Sequence, residues 1–328
     1  MKNNWKNTEA NNYIKKYKEK NISKDLALRI YTTQLLGKNN KLVLHGGGNT
    51  SLKTTAKNIF NEKIDVMHVK GSGWDMGSID YPGLPAVELK PLLKSKNLSS
   101  LNDFDMVNLQ RKSLLDSKSP NPSVETLLHA FLPFKYIDHT HANAILSLID
   151  QPNDVAICKK IFGNKFGIVP YVIPGFELAK LAFQVFKKNK NVEGLILLNH
   201  GIFTFGDTAK ASYDRMIKYV TIAEKELNKY KNKIINRKKN IEKNKEFNHQ
   251  SILPLIRKNL SSKNKDGTYT KWVFDIRVNQ KILNYLDHPD LKMFTTKGTV
   301  TPDHVIRIKS KPLILNIKNI NETKIDIF

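Results

Sequence analysis

The sequence predicts a mixed α/β protein, and three observations carry that expectation. Short apolar runs with the length of buried strands end in glycine or histidine, at residues 42–48, 66–71, 136–141 and 194–201. Stretches with helical apolar spacing stand between them, notably residues 23–36, 123–132 and 207–227. Turn residues separate the two kinds of segment: Gly46-Gly47-Gly48, Gly71-Ser72-Gly73 and Asn199-His200-Gly201 each follow an apolar run.

Size and composition narrow the function classes. A chain of 328 residues suffices for one large domain or two ordinary ones, and its 40% hydrophobic content allows a sizeable core. No apolar run reaches the roughly 20 residues that a membrane-spanning helix needs. The start, Met1-Lys2-Asn3-Asn4-Trp5, lacks the apolar segment of a secretory signal, so a cytoplasmic location is expected. A single cysteine, Cys158, excludes an intrachain disulfide and a cysteine-based zinc site. The net charge of +24 is mostly lysine, and Asn and Ile are also abundant. These residues share A/T-rich codons, so genome composition accounts for the charge. No aromatic-interleaved basic motif is present, and nucleic acid is not an expected partner.

Taken in order, residues 1–20 are polar and lysine-rich and are expected to form a short helix or a frayed end. Ser23 is placed to cap a helix with Leu26, Ile30 and Thr33 on one stripe and Gly37 at its end. Residues 42–44 are expected to be an apolar strand running into three glycines and then Asn49-Thr50-Ser51. Such a loop either turns successive N–H groups toward an anion, usually phosphate, or makes a tight hairpin. It is not a P-loop, because no Gly-Lys-Ser/Thr follows at the required spacing. Ser72 and Gly73 would add hydroxyl and amide donors to the same site, or form an ordinary turn. Residues 80–119 carry Pro-Gly turns and one apolar stretch at 86–93, with no evident chemistry.

Ser123 is expected to cap the next helix, with Glu125 in its first turn and His129 on the same face. An acidic residue there is ordinary helix chemistry, or else a carboxylate held near a metal. His129 reads as a supporting partner of that site or, more simply, as a satisfied core histidine.

The most informative stretch is residues 135–146. His139 and His141 stand at i and i+2 of a short strand, so both imidazoles face one side. That arrangement suits a divalent metal that takes nitrogen ligands. Residues 144–162 have helical spacing, 169–175 read as extended, and 177–187 as helical again. The apolar strand at 194–198 ends in Asn199-His200-Gly201, which offers a third imidazole at a strand end. Each histidine alone could belong to the core. His139, His141, His200 and Glu125 together favour a site.

Residues 202–205 read as another short strand. Asp207 is expected to cap a long amphipathic helix with Tyr213, Met216, Ile217, Val220 and Leu227 on one stripe. The lysine-rich residues 228–250 are expected to be an exposed helix extension or linker. Residues 268–328 are expected to form a small unit with strands at 272–278 and 313–317, around Gly298-Thr299-Val300-Thr301-Pro302-Asp303-His304.

The motifs Gly48-Asn49-Thr50-Ser51, the Glu125 helix, His139-Thr140-His141 and Asn199-His200-Gly201 occur in this order and spacing. On them the chain resembles the class II aldolase/adducin family over about residues 25–230. Residues 122–135 and 201–209 resemble a narrower branch, the aldolase half of bifunctional rhamnulose-1-phosphate aldolase/short-chain dehydrogenase proteins, and residues 300–307 are similar to the region joining their two halves. The resemblance implies a three-layer α/β/α sandwich with a mixed, largely antiparallel central sheet. With it goes a metal-dependent catalytic domain over residues 1–235, followed by a lysine-rich linker and a small α+β extension over residues 236–328.

It further implies Zn2+, or another divalent metal, on His139, His141 and His200, with Glu125 as an acid/base residue able to approach the metal when substrate is absent. Gly48, Asn49, Ser72, Gly73 and Ser123 would hold the substrate phosphate. The implied assembly is a homotetramer with active sites between subunits. The implied reaction is cleavage of a ketose 1-phosphate of the rhamnulose type, giving dihydroxyacetone phosphate and an aldehyde through a metal-stabilised enediolate.

Two features depart from the pattern. Val124 stands where the family often has a second serine, which removes one hydroxyl donor. No Gly-x-x-x-Gly-x-Gly fingerprint is present, so no NAD and no dehydrogenase activity are expected of this chain. A short-chain dehydrogenase would then be a separate partner. Epimerisation, dehydration or decarboxylation of a sugar phosphate or sugar acid uses a similar metal-held enediolate and stays open. A non-enzymatic adducin-like interaction domain is the second alternative. Adducin-like domains have lost the histidine set that this chain retains.

Overall fold

Seven strands form one open sheet in the computed structural model, which describes residues 1–230 and 249–314. The strands are β1 (Asn49–Lys57), β2 (Lys63–Val69), β3 (Ala86–Glu88), β4 (Tyr136–Thr140), β5 (Phe166–Val169), β6 (Gly194–Leu197) and β7 (Gly201–Gly206). Their order across the sheet is β3-β2-β1-β4-β7-β6-β5, and every neighbouring pair is antiparallel except β5 with β6. β4 is therefore central, and the strand carrying His139 is hydrogen-bonded on both edges.

Side chains alternate across the sheet as strand geometry requires. Ile137, Leu195, Leu197, Phe203 and Phe205 pack with helices α3 (Leu89–Lys94), α4 (Asp103–Lys112), α5 (Thr126–Phe131) and α8 (Phe176–Lys188). Ile196 and Ile202 face the other way, toward α2 (Lys24–Gly37), α6 (Asn143–Ile149), α7 (Asp154–Phe162) and α9 (Ala209–Asn228). Leu52 and Tyr136 share this second face with α2 and with α1 (Asn7–Lys18). The result is the expected three-layer α/β/α sandwich around a mixed, largely antiparallel sheet. Among the described residues no helix is long and apolar enough to cross a membrane.

The helical periodicities hold with local corrections. Ser23 caps α2 as expected, its side chain accepting from the Leu26 N–H at 3.2 Å. At residues 42–44 no strand forms. Leu42 and Val43 are buried, but the Leu44 N–H goes to the Asp303 carboxylate at 2.9 Å, and His45, Gly46 and Gly48 take positive φ. The sheet resumes only at Asn49. The single helix expected at 144–162 is two, because Pro152 disfavours helical backbone in the residue before it. The cap of α9 is Thr208 rather than Asp207, with its hydroxyl accepting from the Ala211 N–H at 3.1 Å. α5 begins at Thr126, so Glu125 occupies the cap position, while Ser123 Oγ accepts from the Glu125 N–H at 3.3 Å.

Behind β4 lies a buried polar network. Arg29 of α2 forms an ion pair with Asp138 and donates to the carbonyls of Ser51 and Ile137 at 3.3 and 3.4 Å. Asp138 also accepts from Ser212 of α9 at 2.6 Å. Asp138 precedes His139 on β4, so the network anchors the opposite face of the strand that carries the histidines.

The chain divides into two units. Among the described residues the first comprises 1–230 together with Val300–Ile308, and the second comprises 249–299 and 309–314. The second contains α10 (His249–Leu260), α11 (Gln280–Leu286) and α12 (Leu291–Thr296), with a lone bridge between Lys263 and Tyr269. The strand expected at 272–278 is absent. Among the described residues no strand pairs with them, and Val273 is 92% exposed, so β-propensity alone does not make a strand there. Most of the lysine-rich tract and residues 315–317 lie outside the described residues. A short helix, α13 (Pro302–Val305), belongs to the first unit.

Candidate metal centre

Three segments deliver three imidazoles to one point. His139 lies near the end of β4, and His141 follows just beyond it. His200 sits in the turn between β6 and β7, after Asn199 with φ 54°. Gly201 lets that turn come close. A Cβ there would stand 2.5 Å from the Thr140 carbonyl and 3.1 and 3.2 Å from the rings of His139 and His141. A Gly201→Ala variant is therefore expected to lower divalent-metal affinity about tenfold or more, read by competition with a chelator.

The Nε2 atoms of His139 and His141 are 3.0 Å apart. Glu125 reaches both ends of the cluster, with one oxygen 3.3 Å from His139 Nε2 and the other 3.3 Å from His200 Nε2. All four side chains are buried: 0% exposed at His139, 7% at His141, 5% at His200 and 6% at Glu125. His139 Nδ1 faces the Ile202 carbonyl at 3.1 Å, so it carries the proton and donates. His141 Nδ1 likewise donates to Asp303 at 2.7 Å. Both Nε2 atoms are then lone pairs pointed at each other, which repel unless a cation lies between them.

Burial, reinforced by His141 and His200, pushes the His139 pKa well below the ordinary histidine value. Burial also lowers that of His200, against the opposing pull of Glu125. Neutral imidazoles are the form a metal takes. Glu125 Oε1 and His200 Nδ1 have no hydrogen-bond partner in this buried cluster. Among the described residues His139, His141 and His200 form the one group with ligand atoms close enough for an ion, all within 4.8 Å of one another. The donor set fits a divalent cation.

Asn49 and Ser123, expected on a substrate phosphate, stand beside Glu125. Asn49 Nδ2 donates to Glu125 at 2.6 Å and to Ser123 Oγ at 3.0 Å. Asn49 Oδ1 accepts from His129 Nε2 at 2.5 Å, and His129 Nδ1 accepts from Ser51 Oγ at 2.8 Å. Full burial keeps His129 neutral by pushing its pKa well down. The Ser51–His129 pair thus fixes which way the Asn49 amide points, and the amide fixes the carboxylate. His129 is a satisfied buried histidine with a supporting role.

Gly48 has φ +61° and backs onto the His139 carbonyl. Ser72 and Gly73 are exposed, and their segment pairs with residues 121–123. The Ser72 N–H donates to the Asn121 carbonyl at 2.8 Å. Val124 is 44% exposed.

Two residues at this site were not singled out from the sequence. Lys70 is buried at the end of β2 and donates to the carbonyls of Gly46, Gly71 and Trp74 at 2.9, 3.3 and 2.7 Å. It ties the two glycine loops together. Burial pushes its pKa down to about 8, so it remains mostly cationic at neutral pH. A lysine between an apolar strand and a Gly-Ser-Gly turn was the available signal. The other residue is Asp303, 162 positions after His141. Its segment stood out only within residues 298–304 and the resemblance over residues 300–307, and spacing gave no link to the histidines. His304 instead bonds to Thr301 Oγ1 at 2.6 Å.

Residues 28–227 match the family described as class II aldolase and adducin N-terminal domain, and residues 248–327 match aldolase class II, second domain. A Bacillus subtilis protein described as uncharacterized oxidoreductase YuxG is 34% identical over 304 residues. The alignment covers 88% of this chain and 42% of that protein, so the chain spans less than half of its relative's length. A solved N-terminal class II aldolase domain of a conserved protein from Thermoplasma acidophilum aligns at 39% identity with a TM-score of 0.62. That alignment covers 69% of this chain and 99% of the other.

Proposed function

The chain belongs to the class II aldolase and adducin family, and on that premise we propose that it is a metal-dependent lyase that cleaves a ketose 1-phosphate to dihydroxyacetone phosphate and an aldehyde. The observation that carries this reading is the convergence of three imidazoles and the Glu125 carboxylate at one buried point. His139, His141 and His200 would hold Zn2+ or a similar divalent cation. Bound there, the cation supplies Lewis acidity, taking up negative charge that develops on substrate oxygens as the C–C bond breaks.

Glu125 carries the proton. In cleavage the C4 hydroxyl loses a proton, the C3–C4 electron pair moves toward the C2 carbonyl, and Glu125 delivers a proton to C3. Net, the hydroxyl proton ends on carbon, so the reaction needs no NAD. Asn49 holds the carboxylate through Nδ2, and its donor can also serve an anion when the carboxylate moves. The substrate phosphate is assigned to Gly48, Asn49, Ser72, Gly73 and Ser123, with Lys70 supplying positive charge behind the two loops. A sugar-phosphate substrate, a homotetramer and a cytoplasmic setting complete the reading. So does a catalytic part over residues 1–235 with an extension over 236–328, from which Val300–Ile308 folds with the first part.

Lys70 gives a pH prediction. The lysine loses its proton as pH rises through about 8, so the affinity for inorganic phosphate is expected to fall between pH 7.5 and 9.5. The sign follows from charge: a neutral amine attracts an anion less than an ammonium does. A Lys70→Met variant is expected to bind phosphate about tenfold more weakly at pH 7.5 and to lose most of that pH dependence, both read by calorimetry.

The function itself is tested by incubating metal-loaded protein with rhamnulose 1-phosphate, other ketose 1-phosphates, and sugar acids, then identifying products by NMR. Release of dihydroxyacetone phosphate supports the reading. An epimer, a dehydrated product or carbon dioxide would replace it with another reaction on the same site.

A further inference from the structure

We propose that Asp303 is a positioning residue of the metal centre, one that locks His141 and the glycine loop into register with each other. Its two oxygens do different things. One accepts from His141 Nδ1 at 2.7 Å, and the other accepts from the Leu44 N–H at 2.9 Å. The first contact fixes the tautomer and tilt of His141, leaving Nε2 as the lone pair turned to the metal. The second fixes the start of the loop that leads through Gly48 to Asn49. The carboxylate is 2% exposed, and a buried charge in such a place is held only by its partners.

The surroundings are shaped to admit it. A Cβ on Gly47 would overlap the Asp303 carboxylate, so the middle glycine of the loop gives the aspartate its room. Arg307, one turn further on, donates through Nε and Nη2 to the His45 carbonyl at 3.1 and 2.9 Å. Thr301 caps the short α13 by accepting from the His304 N–H, which sets Asp303 in its first turn. The segment Val300–Ile308 thus folds with the first unit although both of its chain neighbours belong to the second. The match to the N-terminal family domain ends at residue 227, so the centre uses a residue that this domain does not contain.

The inference rests on the metal centre of the proposed function, and its test separates the two. The full chain is stripped of metal, and Co2+ affinity and visible absorption are measured for wild type, Asp303→Asn, Asp303→Ala and Arg307→Gln. Asp303→Asn keeps the shape of the side chain and guards against a misfolded alanine variant. Both Asp303 variants are expected to bind Co2+ about 10–100-fold more weakly, with shifted ligand-field bands at saturation. Arg307→Gln, which loosens the same segment without touching His141, is expected to stay within about threefold of wild type and to leave the bands in place. Equal affinity in wild type and Asp303→Asn overturns the inference alone. So does weaker binding with unmoved bands, which would make Asp303 a mere anchor of its segment. A wild-type protein that takes up no stoichiometric Co2+ overturns the centre and the inference together.

Discussion

Glu125→Gln is expected to keep its metal and lose its turnover, by about 10²–10⁴-fold in kcat. The amide fills the same space and can still meet Asn49, but it cannot exchange a proton with substrate carbon. His141→Ala is expected to fail differently. Removing one of three nitrogen donors, with its Nε2 3.0 Å from that of His139, takes away the metal and the activity together. Bound metal by elemental analysis, set beside kcat for each variant, separates the roles. A Glu125→Gln protein with unchanged kcat, or a His141→Ala protein with full metal content and activity, would overturn the assignment.

The second large effect concerns stability. Arg29→Met is expected to destabilise the fold by about 3–5 kcal/mol, because Asp138 is then left as an uncompensated charge in the interior. Both side chains are 0% exposed, so water cannot replace the lost partner. The ion pair itself is not the source of stability. Replacing the pair with apolar residues, as in Arg29→Met with Asp138→Leu, is expected to recover much of the loss, since desolvating two charges costs about as much as their attraction returns. Urea unfolding of the two single variants and the double variant gives the three values. The network also links α2, β1, β4 and α9, so the metal affinity of the single variant should fall along with its stability.

Much of this was legible from local pattern. His139 and His141 declare their shared face through an i, i+2 spacing on an apolar strand, and Ser23 declares a helix start through its own hydroxyl. These are short-range effects, and sequence carries them directly. Residues 42–44 misled because an apolar run reads the same whether its N–H groups enter a ladder or, as here, divide between the Asn39 carbonyl of a turn and one distant carboxylate. Residues 272–278 misled for the converse reason: strand propensity is present, but a strand needs a neighbour, and none pairs with it among the described residues.

The site divides in the same way. The three histidines and Glu125 end or cap regular elements, where spacing is informative. Asp303 and Lys70 act through contacts with loops, across 162 residues in the one case and against three backbone carbonyls in the other. Neither kind of contact leaves a periodic trace. Asn49 shows a further limit. Its place near the phosphate loop could be anticipated, but its grip on Glu125 and its dependence on His129 appear only once β1 is paired with β4 and α5 is laid beside them.

The proposed reaction requires this centre to make an enediolate from a phosphorylated three-carbon unit, with Glu125 moving the proton. The most direct measurement needs no knowledge of the aldehyde. Metal-loaded protein is incubated with dihydroxyacetone phosphate in D2O, and the hydroxymethyl carbon is followed by NMR. Uptake of one deuterium at that carbon is expected of the wild type, slowed about 10²–10⁴-fold in Glu125→Gln at equal metal content. A wild-type protein that binds metal and phosphate yet leaves that carbon unexchanged would contradict the proposed reaction.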